Sequence, residues 1–178
     1  VYFDMVKALP KKALEDKDLD VKGLKVYLVQ DFNLEILRRM VDFGQKIFGE
    51  AGMDEWGLVP QIRHGNVFVL KEDIHSKIVG MAILMRDWED EKKCYLFDYA
   101  IQEELQGKGL GYHFLKVICL NLKEQGFDIM GLTVDIHNKP AIRLYKDKMG
   151  FVVEEMNKHE YGEGEHRYIM NLDLNIIK

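Results

Sequence analysis

Between an aromatic-rich apolar run and an amphipathic one lie six residues, Gln106-Gly107-Lys108-Gly109-Leu110-Gly111, and this hinge constrains the fold more than any other stretch. The run ahead of it, Tyr95 to Ile101, has the branched and aromatic make-up of a strand. Behind it Leu110, Phe114, Leu115, Ile118 and Leu122 recur at helical spacing. The glycines therefore hand a strand over to a helix. A bare glycine turn at a helix start presents unpaired N–H groups and the positive end of the helix dipole, which suits phosphate oxygens. A tight turn that needs positive φ is the plainer reading of the same residues.

A chain of 178 residues is long enough for one sizeable core and short for two. Residues 1–23 are dense in charge and poor in large apolar side chains, so they are expected as an arm ahead of a single domain at 24–178. The formal charge of −5, with basic residues scattered and not striped among aromatics, argues against a nucleic-acid partner. No apolar run approaches the roughly 20 residues that span a bilayer, so a soluble cytoplasmic protein is expected. Cys94 and Cys119 belong to no CxxC or Cys/His cluster and read as buried thiols. His113, His137, His159 and His166 lack metal-ligand spacing, so no metal site is expected.

The rest of the chain falls into elements by period and punctuation. Leu24 to Val29 reads as a strand, and Asp31 or Asn33 can cap a helix carrying Leu34, Leu37, Met40 and Val41 to about Phe48. Gly49, Gly52, Gly57 and Pro60 predict a loop with one helical turn near Met53 to Trp56. Val67 to Leu70, Ile78 to Met85 and Tyr95 to Ile101 follow as a meander. After the glycine turn come a helix to about Gln125, a strand at Asp128 to Val134, a helix at Pro140 to Met149, and strands at Phe151 to Lys158 and Arg167 to Leu172. This order fits an α/β fold, a mixed sheet covered by helices. A dinucleotide fingerprint fails on spacing, because Tyr112 stands where the last glycine of GxGxxG is required.

From about Leu24 to Leu172 the chain resembles the GCN5-related N-acetyltransferase (GNAT) superfamily. Two motifs carry the resemblance. Gln106 to Gly111 satisfies the acyl-CoA signature that follows the fourth strand in that family, and Asn138, Ala141, Leu144, Tyr145, Gly150 and Phe151 match its second signature. The resemblance implies a central mixed, splayed seven-stranded sheet flanked by helices, with the sheet parting between Tyr95 to Ile101 and Asp128 to Val134. It implies acetyl-CoA as co-substrate, its pyrophosphate over Gln106, Gly107, Lys108, Gly109, Leu110 and Gly111 and its pantetheine arm in the split beside Asn138, Ala141 and Tyr145. An unpaired amide at Ala100 or Ile101 is implied as oxyanion donor, and Tyr145 as the acid that protonates the departing thiolate.

Other roles are less constrained. Asn138 can cap the following helix or bond the pantetheine amides. Asp98 is the candidate base and acceptor contact, with a water chain as the alternative. Trp56, in the loop Gly49 to Arg63, is the expected aromatic wall of the acceptor site, or else a plug of that loop onto the core. The hairpin from Met156 to Arg167 either overhangs the acceptor or forms a solvated tip. The expected reaction is acetyl transfer to a primary amine by direct attack in a ternary complex. A small-molecule amine is the expected acceptor because no peptide groove is legible, and a homodimer is left open. A protein lysine or N-terminal acetyltransferase and a non-catalytic acyl-CoA sensor are the alternatives.

Overall fold

A computed structural model describes residues 23–29, 31–73 and 76–178; apart from Gly23, the arm expected at 1–23 lies outside them. Strand β1 (Lys25–Leu28) leads to helix α1 (Leu34–Phe48). Of the two candidate caps it is Asn33 that acts, its Oδ1 accepting the Ile36 N–H at 2.9 Å. Asp31 instead accepts from the Phe32 N–H and pairs with Arg63 at 3.1 Å.

The loop expected after α1 is largely a ten-residue helix, α2 (Glu55–His64). Asp54 caps it through the Gly57 N–H at 2.9 Å, and Leu58 and Ile62, one turn apart, anchor it in the core. Pro60 sits on the exposed side, where the N–H it lacks costs one helical bond while the burial of its neighbours holds the element. Composition pointed to a breaker; packing overrides it.

Strands β2 (Asn66–Lys71), β3 (Gly80–Arg86) and β4 (Lys93–Ile101) form the meander. Helix α3 (Leu110–Glu124), strand β5 (Ile129–Asp135), helix α4 (Lys139–Ile142), strand β6 (Val152–Asn157) and strand β7 (Arg167–Asp173) follow. Helix α4 passes into a π-helix at Arg143–Met149, closed by Gly150 at φ 88°. The seven strands lie in the order β1-β2-β3-β4-β5-β7-β6. All neighbours are antiparallel except β4 and β5, which pair only from Lys93↔Ile129 to Tyr95↔Gly131. Beyond Tyr95 the two strands part, as the resemblance implied.

The sheet buries one cluster on each face. On one face Phe114 and Ile118 of α3 pack with Phe68, Leu84, Leu96, Leu132 and Met170; on the other Met40 of α1 and Leu58 of α2 pack with Val67, Val69, Met81 and Ile83. Phe114 is fully buried, stacks on Tyr99 at 5.6 Å, and so seats α3 on β4. The Tyr99 hydroxyl adds a bond to the Gly111 carbonyl. Replacing Phe114 by Ala should therefore cost about 3–5 kcal/mol in urea unfolding followed by circular dichroism. A loss below about 1 kcal/mol would mean that this ring does not seat the helix.

Candidate functional site

A bulge fixes what faces the split. The β3–β4 register shifts so that Leu84 faces Leu96 and Ile83 faces Asp98, leaving Phe97 as the extra residue. Leu96 consequently packs under α3, while Asp98, opposite Ile83, takes the face shared with α1 and α2. The Gln102 N–H donates to the Val79 carbonyl at 2.8 Å. Backbone alternation then turns the amide of Ala100 toward β3 and that of Ile101 toward the split. Of the two candidate donors, the Ile101 amide faces the split and that of Ala100 lies within the ladder to β3.

The glycine turn abuts that strand end. The Gln106 side-chain Nε2 donates to the Ile101 carbonyl at 2.9 Å, and Lys108 Nζ to the Glu104 carbonyl at 3.0 Å. Gly107 and Gly109 take φ values of 72° and 80°, the left-handed backbone that the plainer reading of the turn requires. Gly109 is the N-cap of α3 and no side chain caps that end. A Cβ at Gly107 would meet nothing within 4 Å, which leaves the turn open on its outer side. These residues fit a pyrophosphate.

Asn138 accepts the Ala141 N–H at 3.2 Å, so its capping role is present at the start of α4. Tyr145 lies in the π segment, buried and edge-on to Phe151 at 5.6 Å. Burial, and secondarily the Asp98 carboxylate, push its phenol well above the ordinary value. Burial alone raises the Asp98 carboxyl from 3.8 to about 6. Cys94 is pushed up to about 12 by burial, and Cys119 further, as expected of inert buried thiols.

Helices α1 and α2 pack on strands β1 to β4. Beside them an open trough of about 420 Å³ runs over β4, β5 and β7, lined by Lys93, Tyr95, Gly131, Thr133, Asn171 and Glu160 among others. The lack of a side chain at Gly131 makes its floor: a Cβ there would come within 2.9 Å of Asn171 Oδ1, a buried acceptor with no hydrogen-bond partner. Tyr95 precedes Asp98 by three positions, roughly 10 Å along the strand. Tyr95, Thr133 and Tyr161 join hydroxyls at 3.1–3.3 Å, and sequence reasoning missed this cluster. Only the alternation of Tyr95 with Cys94 and Leu96 hinted at it. Trp56 stands 88% exposed on the first turn of α2, outside the trough lining, and does not plug a loop onto the core.

The family description "Acetyltransferase (GNAT) family" matches residues 34–151, and the chain belongs to that family. It is 34% identical over 84 residues to an N-alpha-acetyltransferase of Sulfurisphaera tokodaii, covering 47% of this chain and 50% of that protein. Among solved structures, Ard1 from Thermoplasma volcanium superposes with a TM-score of 0.71 at 18% identity, covering 85% of this chain and 97% of Ard1. The NatC complex bound to Gag peptide and CoA superposes with a TM-score of 0.67 at 14% identity over 84% of this chain and 98% of the matched chain. The chain spans about half the length of the curated relatives it matches. Among the described residues no helix is long and apolar enough to cross a membrane.

The raised carboxyl gives a test with a defined sign. The folded chain holds the Asp98 proton to about pH 6 where the unfolded chain releases it near 3.8, so stability from this group falls as pH rises between those values. Asp98→Asn should therefore raise the melting temperature at neutral pH and leave it unchanged near pH 4. A lowered melting temperature at neutral pH would show that the carboxylate is a stabilising group.

Proposed function

We propose that the chain transfers the acetyl group of acetyl-CoA to the free α-amine of a polypeptide, by direct attack in a ternary complex. The observation that carries this reading is the β4–β5 split, whose pairing ends at Tyr95↔Gly131, beside a glycine turn that leaves the start of α3 without a side-chain cap. When bound, acetyl-CoA supplies an activated acyl group on a thiol leaving group. The amides from Gly107 to Gly111 and the α3 dipole hold its phosphates, with Gln106 and Lys108 bracing the turn. Ala141, on the first turn of α4, and Asn138 border the pantetheine path. The Ile101 N–H is the donor for charge developing on the carbonyl oxygen.

Asp98 takes the proton of the incoming ammonium, directly or through water, and the freed nitrogen attacks the carbonyl carbon. As the C–S bond breaks, Tyr145 gives its proton to sulfur; the nitrogen loses its second proton to solvent as the amide forms, and exchange with solvent reprotonates Tyr145 and clears the proton from Asp98. The carboxyl value of about 6 bears on the acceptor. An α-amine near pKa 8 yields its proton to such a base at a cost of about 3 kcal/mol, against about 6 kcal/mol for a lysine side chain near 10.4. The open trough supports an extended chain end more than an enclosed small amine. The likeness to an N-alpha-acetyltransferase points the same way.

A thiol-release assay with acetyl-CoA decides among acceptors. Peptides with free N-termini should outpace the same peptides with blocked N-termini and internal lysines, and should outpace polyamines and aminoglycosides. Faster turnover of any of the latter would overturn the polypeptide reading. Tyr145→Phe should retain donor affinity by calorimetry and lose roughly 10²-fold in turnover. Unchanged turnover across the pH range would assign the thiolate's proton to another donor.

A further inference from the structure

The floor of the trough holds an arrangement that the transfer itself does not use. Lys93 and Tyr95 alternate with Cys94 and Leu96, which pack with α3, so both face the trough. At Gly131 a Cβ would meet Asn171 Oδ1 at 2.9 Å and Lys93 Cε at 3.2 Å. The bare strand therefore lets these two side chains converge over it. Lys93 pairs with Ile129 and Tyr95 with Gly131, so the Lys93 stem leans two residues, about 7 Å along the sheet, toward the split. Asn171 Oδ1 is buried without a hydrogen-bond partner, and it favours the positive end of the lysine beside it.

The other charged groups around the trough are already engaged. Asp87 accepts the Glu89 and Asp90 N–H groups at 2.9 and 3.0 Å. Those amides, and more weakly Lys93, hold its carboxyl below the ordinary value. Glu160 accepts from Asn157 Nδ2 at 2.8 Å. Arg86 pairs with Cys94 and turns to the α3 side, where its guanidinium lies 4.5 Å from the Phe127 ring centroid and bonds the Glu91 carbonyl at 3.3 Å. Among the described residues Lys93 makes no ion pair. In a chain of net charge −5, its ammonium is the cation that the trough offers to a ligand.

We propose that Lys93 gives the trough a subsite for a carboxylate side chain of the acceptor, so that the enzyme favours polypeptides with Asp or Glu at the third or fourth residue. The position follows from the spacing. Asp98 lies five positions along β4 from Lys93, about 16 Å, and the forward lean of the stem leaves the ammonium about 10 Å from it. An extended chain whose α-amine meets Asp98 covers that distance in about three residues. An acidic side chain there meets the ammonium, with Gly131 and Asn171 beneath. This deepens the polypeptide reading and rests on it.

The test is a thiol-release assay with acetyl-CoA and peptides of one sequence with free N-termini, in which a single Glu is moved from the second to the sixth residue. The same peptides with Gln or Lys in its place are the comparison. The ratio kcat/KM should peak with Glu at the third or fourth residue, about threefold above Gln there, through KM and with kcat unchanged. Lys at that residue should fall below Gln. Lys93→Gln should level the series, and Lys93→Glu should invert it so that Lys is favoured at the same residue. Acetyl-CoA affinity by calorimetry reads the glycine turn, away from the substitution, and reports that each variant is folded. A flat series in the wild type, an equal preference at every position, or a preference for Glu that survives Lys93→Glu would overturn the subsite and leave the polypeptide reading standing. Failure of every free-N-terminus peptide to turn over would overturn both.

Discussion

Two strands that run parallel for three residue pairs and then separate leave backbone groups facing each other without partners, and the molecule is organised around that gap. Buried amides demand partners, so a parted sheet is costly unless something is meant to occupy the opening. The bulge at Phe97 bends β4 just past its last bond to β5, while the ladder to β3 continues to Ile101. Pairing on one edge of β4 therefore holds the other edge open. The amide of Ile101, the glycine turn and the uncapped α3 follow along that edge in chain order, and Tyr145 lies buried in the π segment after α4.

The same geometry sets the electrostatics. The bulge places Asp98 on the face opposite α3, half-buried beside α1 and α2, where loss of water raises its carboxyl to about 6. The fold bears that cost at neutral pH, and in the proposed mechanism this carboxylate is the base. Tyr145, buried on the other face, holds its proton tightly for the same reason and secondarily because of the Asp98 carboxylate. Burial thus pushes the two groups into complementary states: one readily takes a proton near neutrality, the other keeps its own until a stronger base than water appears.

Much of this was legible in the residues. The helical periods of Leu34 to Phe48 and Leu110 to Leu122, the alternating strands and the two motifs gave the α/β architecture and the place where the sheet parts. Other features were closed to sequence reasoning for definite causes. Pro60 masked α2, because burial of Leu58 and Ile62 outweighs one missing bond. The orientation of Asp98 and the choice between Ala100 and Ile101 hang on a bulge that no residue type announces. The trough depends on Gly131 facing Asn171 across two strands, a cross-strand fact. The loop that carries Tyr161 is held by hydrogen bonds from the Gly164 and His159 amides to imidazole nitrogens, whereas its glycines and charges read as an ordinary solvated hairpin tip.

The central claim is that donor and acceptor meet through the split, with Ile101 as the amide that receives the developing charge. A crystal structure of a ternary complex with an unreactive acetyl-CoA analogue and a peptide tests it most directly. The account predicts the acyl oxygen within hydrogen-bonding distance of the Ile101 nitrogen, the peptide's α-amine on the Asp98 side, and its chain running along the trough toward Tyr95. An acyl group that lies away from the β4–β5 gap, or an amine that approaches from the α3 face, would contradict it.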